Sequence, residues 1–322
     1  MSEMPAGIKP RILVISTLGL ERFVPALGAL GAIRACHPEA EIILLTTQAV
    51  AAFAQTAPYF DTVWIDDTNQ QINPALWHLG KRLEAATFVR VYDLDATPHT
   101  KRLFWVMYGL RALPLSRRSI EWSGAIPGTL LNHDDPRREA MHLVDRWAAQ
   151  LKLADIGLLH RPDLSWVARQ VQSFNVPFRM NAPFTLISAT PGPGSSWPAD
   201  RYGELAVALA ASGQIPVLVG TDTPPEVCET VANFCPSAVD LTGQATINEL
   251  VFLAWAATAA VGPDNGVMHL TAAGGCRTVV LYNGASDPAL VGQRGPKVSI
   301  LRRGQLSEIP VGEVVATLEA RK

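Results

Sequence analysis

Short apolar runs alternate with longer stretches of helical period along almost the whole chain. In the first half, residues 11–16, 41–46, 62–65 and 88–94 read as strands, with an Ala- and Leu-rich helix over 23–36 and helical patterns between the later runs. Strands that are apolar throughout are buried on both faces, and helices between them make βαβ units around a parallel sheet. The pattern breaks over 114–138, which is rich in Pro, Gly, Asn and Asp and reads as a long functional loop, and a helix over 138–153 closes this half. A stretch over 175–183 with two prolines is the expected linker. Beyond it, strands over 184–188, 215–219, 256–261, 278–281 and 298–301 alternate with helices over 198–212, 224–234, 247–257 and 311–321. The expected fold class is α/β: two doubly wound domains, 1–176 and 177–322, facing an interdomain cleft. The terminal helix over 311–321 is a candidate to pack back on the first domain. Ligands of such sheets bind beyond the C-terminal ends of the strands.

Three loops at those strand ends carry candidate chemistry. The strongest is the turn Gly262-Pro263-Asp264-Asn265-Gly266, which leads from the strand over 256–261 into a small-residue helix over 265–273. Unpaired backbone N–H groups and the positive dipole end of such a helix favour an anion. Gly266 admits a close ligand, and Asn265 and His269, four apart, lie on one helix face. The same residues also fit a capped core helix with Asp264 as N-cap and His269 as an interior histidine. Thr190-Pro191-Gly192-Pro193-Gly194-Ser195-Ser196 is a candidate phosphate cradle, although no Gly-Lys-[Ser/Thr] follows. Leu18-Gly19-Leu20-Glu21-Arg22 follows the first strand. Asp93-Leu94-Asp95 follows the fourth, with two carboxylates that read as solvated loop groups.

Composition narrows the classes. With 27 basic and 29 acidic side chains the chain is nearly neutral, which argues against a nucleic-acid partner. Cys36, Cys228, Cys235 and Cys276 form no CxxC pair, so no disulfide framework or metal spacing is expected, and a reduced cytoplasmic setting is. No apolar run reaches the length of a membrane span. Residues 103–110, flanked by Lys101, Arg102 and Arg111, either rest on a membrane surface or form the buried face of a helix.

Residues 262–273, Gly-Pro-Asp-Asn-Gly-Val-Met-His-Leu-Thr-Ala-Ala, resemble the G-x-D-[TS]-G-x-x-H-L-A-A-A motif of glycosyltransferase family 9, the lipopolysaccharide heptosyltransferases. Ser286-Asp287-Pro288, Trp197-Pro198-Ala199-Asp200-Arg201-Tyr202 and Leu241-Thr242-Gly243 resemble further segments of that family. The resemblance implies a GT-B fold with two Rossmann-like domains, an N-terminal one for the acceptor and a C-terminal one for the donor. It further implies an inverting, metal-independent transfer of a heptose-like sugar from a nucleotide-diphosphate donor, ADP-sugar favoured, to a lipopolysaccharide-type, lipid-linked or saccharide acceptor, with no cofactor. Asp264, Asn265, Gly266 and His269 would contact the donor, with Thr190, Ser195, Ser196, Thr242 and Gly243 on the loops around it. Asp93 and Asp95 would face the acceptor, and the inner membrane is a candidate peripheral contact.

Two positions depart from the family pattern. Its base, an Asp at the end of the first loop, is replaced in a gapless alignment by Arg22, with Glu21 beside it. Its phosphate-neutralising Lys is replaced by Ser195. Glu21 is then the candidate base and Arg22 the candidate cation; the alternative is a member that binds sugar nucleotide, or assembles with a partner, without turnover. A nucleotide-dependent oxidoreductase is disfavoured, because neither half shows Gly-x-Gly-x-x-Gly after its first strand.

Overall fold

The computed structural model describes residues 9–68, 73–109, 120–157, 159–171, 174–194 and 196–320. The chain divides into two compact units, Met1–Arg161 and Pro162–Lys322. Ser165–Arg169, on the first-domain side of the sequence boundary at 176, forms a 3-10 turn within the second unit.

In the first unit β1 (Arg11–Ile15), α1 (Leu20–Cys36), β2 (Glu41–Thr46), α2 (Gln48–Thr56), β3 (Thr62–Ile65), α3 (Pro74–Ala85), β4 (Arg90–Asp93) and α4 (Pro98–Tyr108) follow the expected alternation. Two short strands, β5 (Trp122–Gly124) and β6 (Leu131–Asn132), then complete a parallel sheet of order β3-β2-β1-β4-β5-β6. Both lie in the segment expected to be a loop. The fully buried Trp122 packs edge-on to Phe104 at 5.2 Å between ring centres, which anchors β5 to α4. The helix expected over 138–153 begins instead as a 3-10 turn, Arg138–Ala140. It restarts as α5 (Leu143–Lys152) once His142 Nδ1 accepts from the amide of Val144.

The apolar run at 103–110 divides between core and surface: Leu103, Phe104 and Met107 are buried on α4, Trp105 is 46% exposed, and Leu110 lies outside the described residues. No helix among the described residues is long and apolar enough to cross a membrane. All four cysteines are free.

The second unit repeats the plan with β7 (Phe184–Ser188), α6 (Ala199–Ala211), β8 (Ile215–Val219), α7 (Pro225–Phe234), β9 (Val239–Asp240), α8 (Ile247–Ala256), β10 (Ala259–Pro263), α9 (Gly266–Ala273), β11 (Thr278–Tyr282), α10 (Pro288–Val291), β12 (Val298–Arg302) and α11 (Val311–Glu319). Its parallel sheet has the order β12-β11-β10-β7-β8-β9. Strands such as Thr278–Tyr282 are buried at every position, as expected for a sheet covered on both faces. The terminal helix α11 buries Val311, Val314 and Leu318 in this unit's own core, against α6 and β11.

Candidate functional site

Strand order reverses between β10 and β7 in the second sheet and between β1 and β4 in the first. The loops leaving these strands part to opposite sides there and open a crevice, the usual ligand position in doubly wound sheets. All the residues singled out as contacts, except those near Thr242, end or follow one of these four strands.

In the second unit α9 begins at Gly266, and its N-cap is Asn265 rather than Asp264. Asn265 has the extended backbone of a cap residue, and its Oδ1 accepts from the amide of Met268 at 3.1 Å. Its Nδ2 donates to Ser188 Oγ at 3.1 Å and to the carbonyl of Thr190 at 2.8 Å. Asn265 is therefore committed to the protein: it ties the helix start to the loop after β7. The amides of Gly266 and Val267 keep no partner among the described residues and remain as first-turn donors. Gly192 is required in the facing loop, because a Cβ there would run into the carbonyl of Asp264.

Asp264 is almost fully buried, at 8% exposure. Ser286 Oγ donates to its Oδ2 at 2.6 Å and Gln293 Nε2 to its Oδ1 at 2.8 Å, while His269 Nε2 lies 3.7 Å from Oδ1. Tyr282 in turn donates its hydroxyl to Gln293 Oε1 at 2.8 Å. Burial pushes the Asp264 carboxyl up, but the nearby His269 ring and the hydrogen bonds of Ser286 and Gln293 outweigh it and hold the group below its usual value. An ionised carboxylate so held is a fixed negative charge beside His269, 5% exposed on the inner side of α9. Gln293 was not legible as a site residue, since it lies 29 residues from Asp264 in a segment without a motif.

Thr190 turns its Oγ1 inward against Gly220, where it has no hydrogen-bond partner, and Ser196 is exposed. Ser195 lies outside the described residues. Thr242 bonds Asp240 Oδ1 through both its amide, at 2.9 Å, and its hydroxyl, at 2.7 Å. Gly243 is exposed, with φ of +67°.

In the first unit the fully buried Asp93 ends β4, and its Oδ1 accepts from the amides of Ala96 at 2.8 Å and Asp95 at 3.2 Å. Burial raises its pKa. Ala96 is held at φ of +51°, a left-handed conformation that non-glycine residues seldom adopt. Helix α5 pins the same loop from below: Gln150 Nε2 donates to the carbonyl of Asp93 at 2.9 Å and Trp147 Nε1 to that of Leu94 at 2.7 Å. Asp95 reaches across to the loop after β1, where Thr17 donates both its amide, at 2.6 Å, and its hydroxyl, at 2.8 Å, to Oδ2.

Glu21 stands exposed in the first turn of α1. Its carboxylate folds back over Gly19, so that a Cβ at residue 19 would lie 2.9 Å from Oε2, and it complements the helix dipole there. The positive charge of Arg22 acts on Asp95 and on Arg146. Thr17 carried no sequence signal as a partner of Asp95.

The sequence pattern of glycosyltransferase family 9 (heptosyltransferase) matches residues 76–317. Lipooligosaccharide heptosyltransferase 2 of Haemophilus influenzae is 31% identical over 129 residues, 38% of this chain; the match spans only 37% of that relative's length. Among solved structures, E. coli ADP-heptose lps heptosyltransferase II gives a TM-score of 0.73 at 19% identity, covering 96% of this chain and 98% of that one. E. coli heptosyltransferase WaaC with ADP gives 0.73 at 17% identity, covering 97% and 100%. At such identities the likeness is one of fold: two α/β Rossmann-like units, the GT-B class.

Proposed function

The chain belongs to glycosyltransferase family 9, and on that premise we propose that it moves a heptose-like sugar from an ADP-sugar to a lipopolysaccharide-type or other saccharide acceptor, with inversion and without a metal ion. The observation that carries the donor half is the start of α9. Two amides without a partner among the described residues, at Gly266 and Val267, stand at the positive end of a helix whose position is locked by Asn265. Such donors suit the diphosphate, and their effect is largest when charge develops on the leaving group. His269 and the Asp264 network would then meet the sugar. The second unit is accordingly the donor-binding domain and the first, with Asp93 and Asp95, the acceptor-binding one.

In a single displacement the acceptor oxygen attacks the anomeric carbon as the nucleoside diphosphate leaves, so the anomeric configuration inverts. The protein must supply a base and stabilise the leaving phosphate. Neither task calls for a cofactor. The same reading has the chain at work in the cytoplasm with no nucleic-acid partner. A lipid-linked acceptor would bring it to the inner membrane, and Trp77 and Trp105 on the packed helices α3 and α4 offer exposed apolar surface for that contact.

Calorimetric titration tests the donor assignment. ADP-heptose should bind more tightly than GDP- or UDP-sugars, and His269→Ala should weaken that binding by about tenfold, the equivalent of ~1.4 kcal/mol. Equal affinity for all three nucleotides, or an unaffected His269→Ala, would contradict it. Tight ADP-heptose binding with no transfer to any acceptor would instead favour the family member that binds without turnover.

A further inference from the structure

At the strand-order reversal of the first sheet, one carboxylate is both anchored and open. β1 and β4 are neighbours there, with Ile15 and Asp93 paired in register, so the loops after them start side by side. Asp95 spans the two loops. Both hydrogen bonds that its carboxylate accepts among the described residues, from the amide and hydroxyl of Thr17, go to Oδ2. Its Oδ1 has no hydrogen-bond partner among the described residues, and the residue stays part-exposed. A carboxylate clamped through one oxygen presents the other in a fixed direction. Glu21, by contrast, is exposed and turned back onto its own helix N-terminus.

We propose that Asp95 is the general base of the transfer, with Oδ1 accepting the proton of the acceptor hydroxyl. The assignment rests on the transferase reading above. As the acceptor oxygen forms its bond to the anomeric carbon, its proton passes to Oδ1. The bond from that carbon to the diphosphate oxygen breaks, and the electron pair leaves with the nucleoside diphosphate. Asp95 then releases the proton to water.

The setting suits that task, because a base works best when its pKa lies near the working pH. Burial and the neighbouring carboxylate of Asp93 push Asp95 up, to about 7, against the hydrogen bonds of Thr17 and the charge of Arg22. The charged groups facing it are thus Asp93 at the end of β4 and Arg22 on α1. The ionised form is the active one, so turnover rises with pH through this value. Thr17 acts as a positioning residue and also favours ionisation.

The experiment uses the full chain with ADP-heptose and a panel of saccharide acceptors, comparing Asp95→Asn, Glu21→Gln and Thr17→Val. Asn keeps an oxygen for Thr17, so the Asp95→Asn fold should hold, as circular dichroism would verify. Its kcat should fall by about 10²–10⁴-fold with ADP affinity unchanged. The wild-type kcat/KM should rise with pH through a limb near 7; Asp95→Asn should flatten the limb and Thr17→Val move it to higher pH. Should Asp95→Asn fail to fold, the Thr17→Val shift decides alone. Three results would each overturn the assignment while leaving the transferase reading intact: a kcat within about threefold of wild type in Asp95→Asn, far short of the usual loss of a base, a greater loss in Glu21→Gln, or an unmoved limb in Thr17→Val. Wild-type protein that transfers to no acceptor would defeat the transferase reading itself, and this assignment with it.

Discussion

Asn265 joins three pieces of the second unit: the first turn of α9, Ser188 at the end of β7 and the carbonyl of Thr190. Its replacement by Ala should therefore act mainly on stability. Loss of the cap is worth about 1 kcal/mol, and the unpaired Thr190 carbonyl adds a comparable amount, so Asn265→Ala should lose roughly 1–3 kcal/mol. The midpoint of urea unfolding measures this; a stability within about 0.5 kcal/mol of wild type would contradict it. The strand-turn-helix was legible because every part of it is local, although the strand expected over 256–261 runs over Ala259–Pro263, just after α8. The sequence points to Asp264, one residue before the actual cap, because Asp and Asn are both good caps and stand side by side. What was not legible is long-range: Asp95 meets Thr17 across 78 positions of chain, and Asn265 meets Ser188 across 77. No local pattern encodes such pairs.

Among elements, those with whole apolar runs were legible almost to the residue: β2 at Glu41–Thr46 and β3 at Thr62–Ile65 fall where the pattern puts them. β5, β6 and β9 have no counterpart in the sequence pattern, since strands of two or three residues are too short to show periodicity. The structure makes β5 matter beyond its length. Trp122 is fully buried between α4 and the sheet, next to the strand that delivers Asp93. Trp122→Ala should cost about 3–5 kcal/mol through the cavity it leaves. Guanidinium unfolding measures it, and a loss below about 1 kcal/mol would show that β5 is not the core strand described here.

On the scale of the whole molecule, two units of the same winding carry unequal chemistry at equivalent places. The second holds a helix N-terminus with free amides, suited to a diphosphate; the first holds a pair of carboxylates, suited to a hydroxyl. The α/β class and the two-unit plan were legible from the alternation of strands and helices. The network of Gln293 and Tyr282 that fixes Asp264 emerges only from the folded chain. The central claim, transfer of a sugar from ADP-heptose, is tested most directly by following the reaction with acceptor by ³¹P NMR, in the presence of EDTA. Acceptor-dependent release of ADP, undiminished by the chelator, and a glycoside of inverted anomeric configuration are expected. Absence of ADP release with every acceptor, or release that EDTA abolishes and Mg²⁺ or Mn²⁺ restores, would contradict the claim.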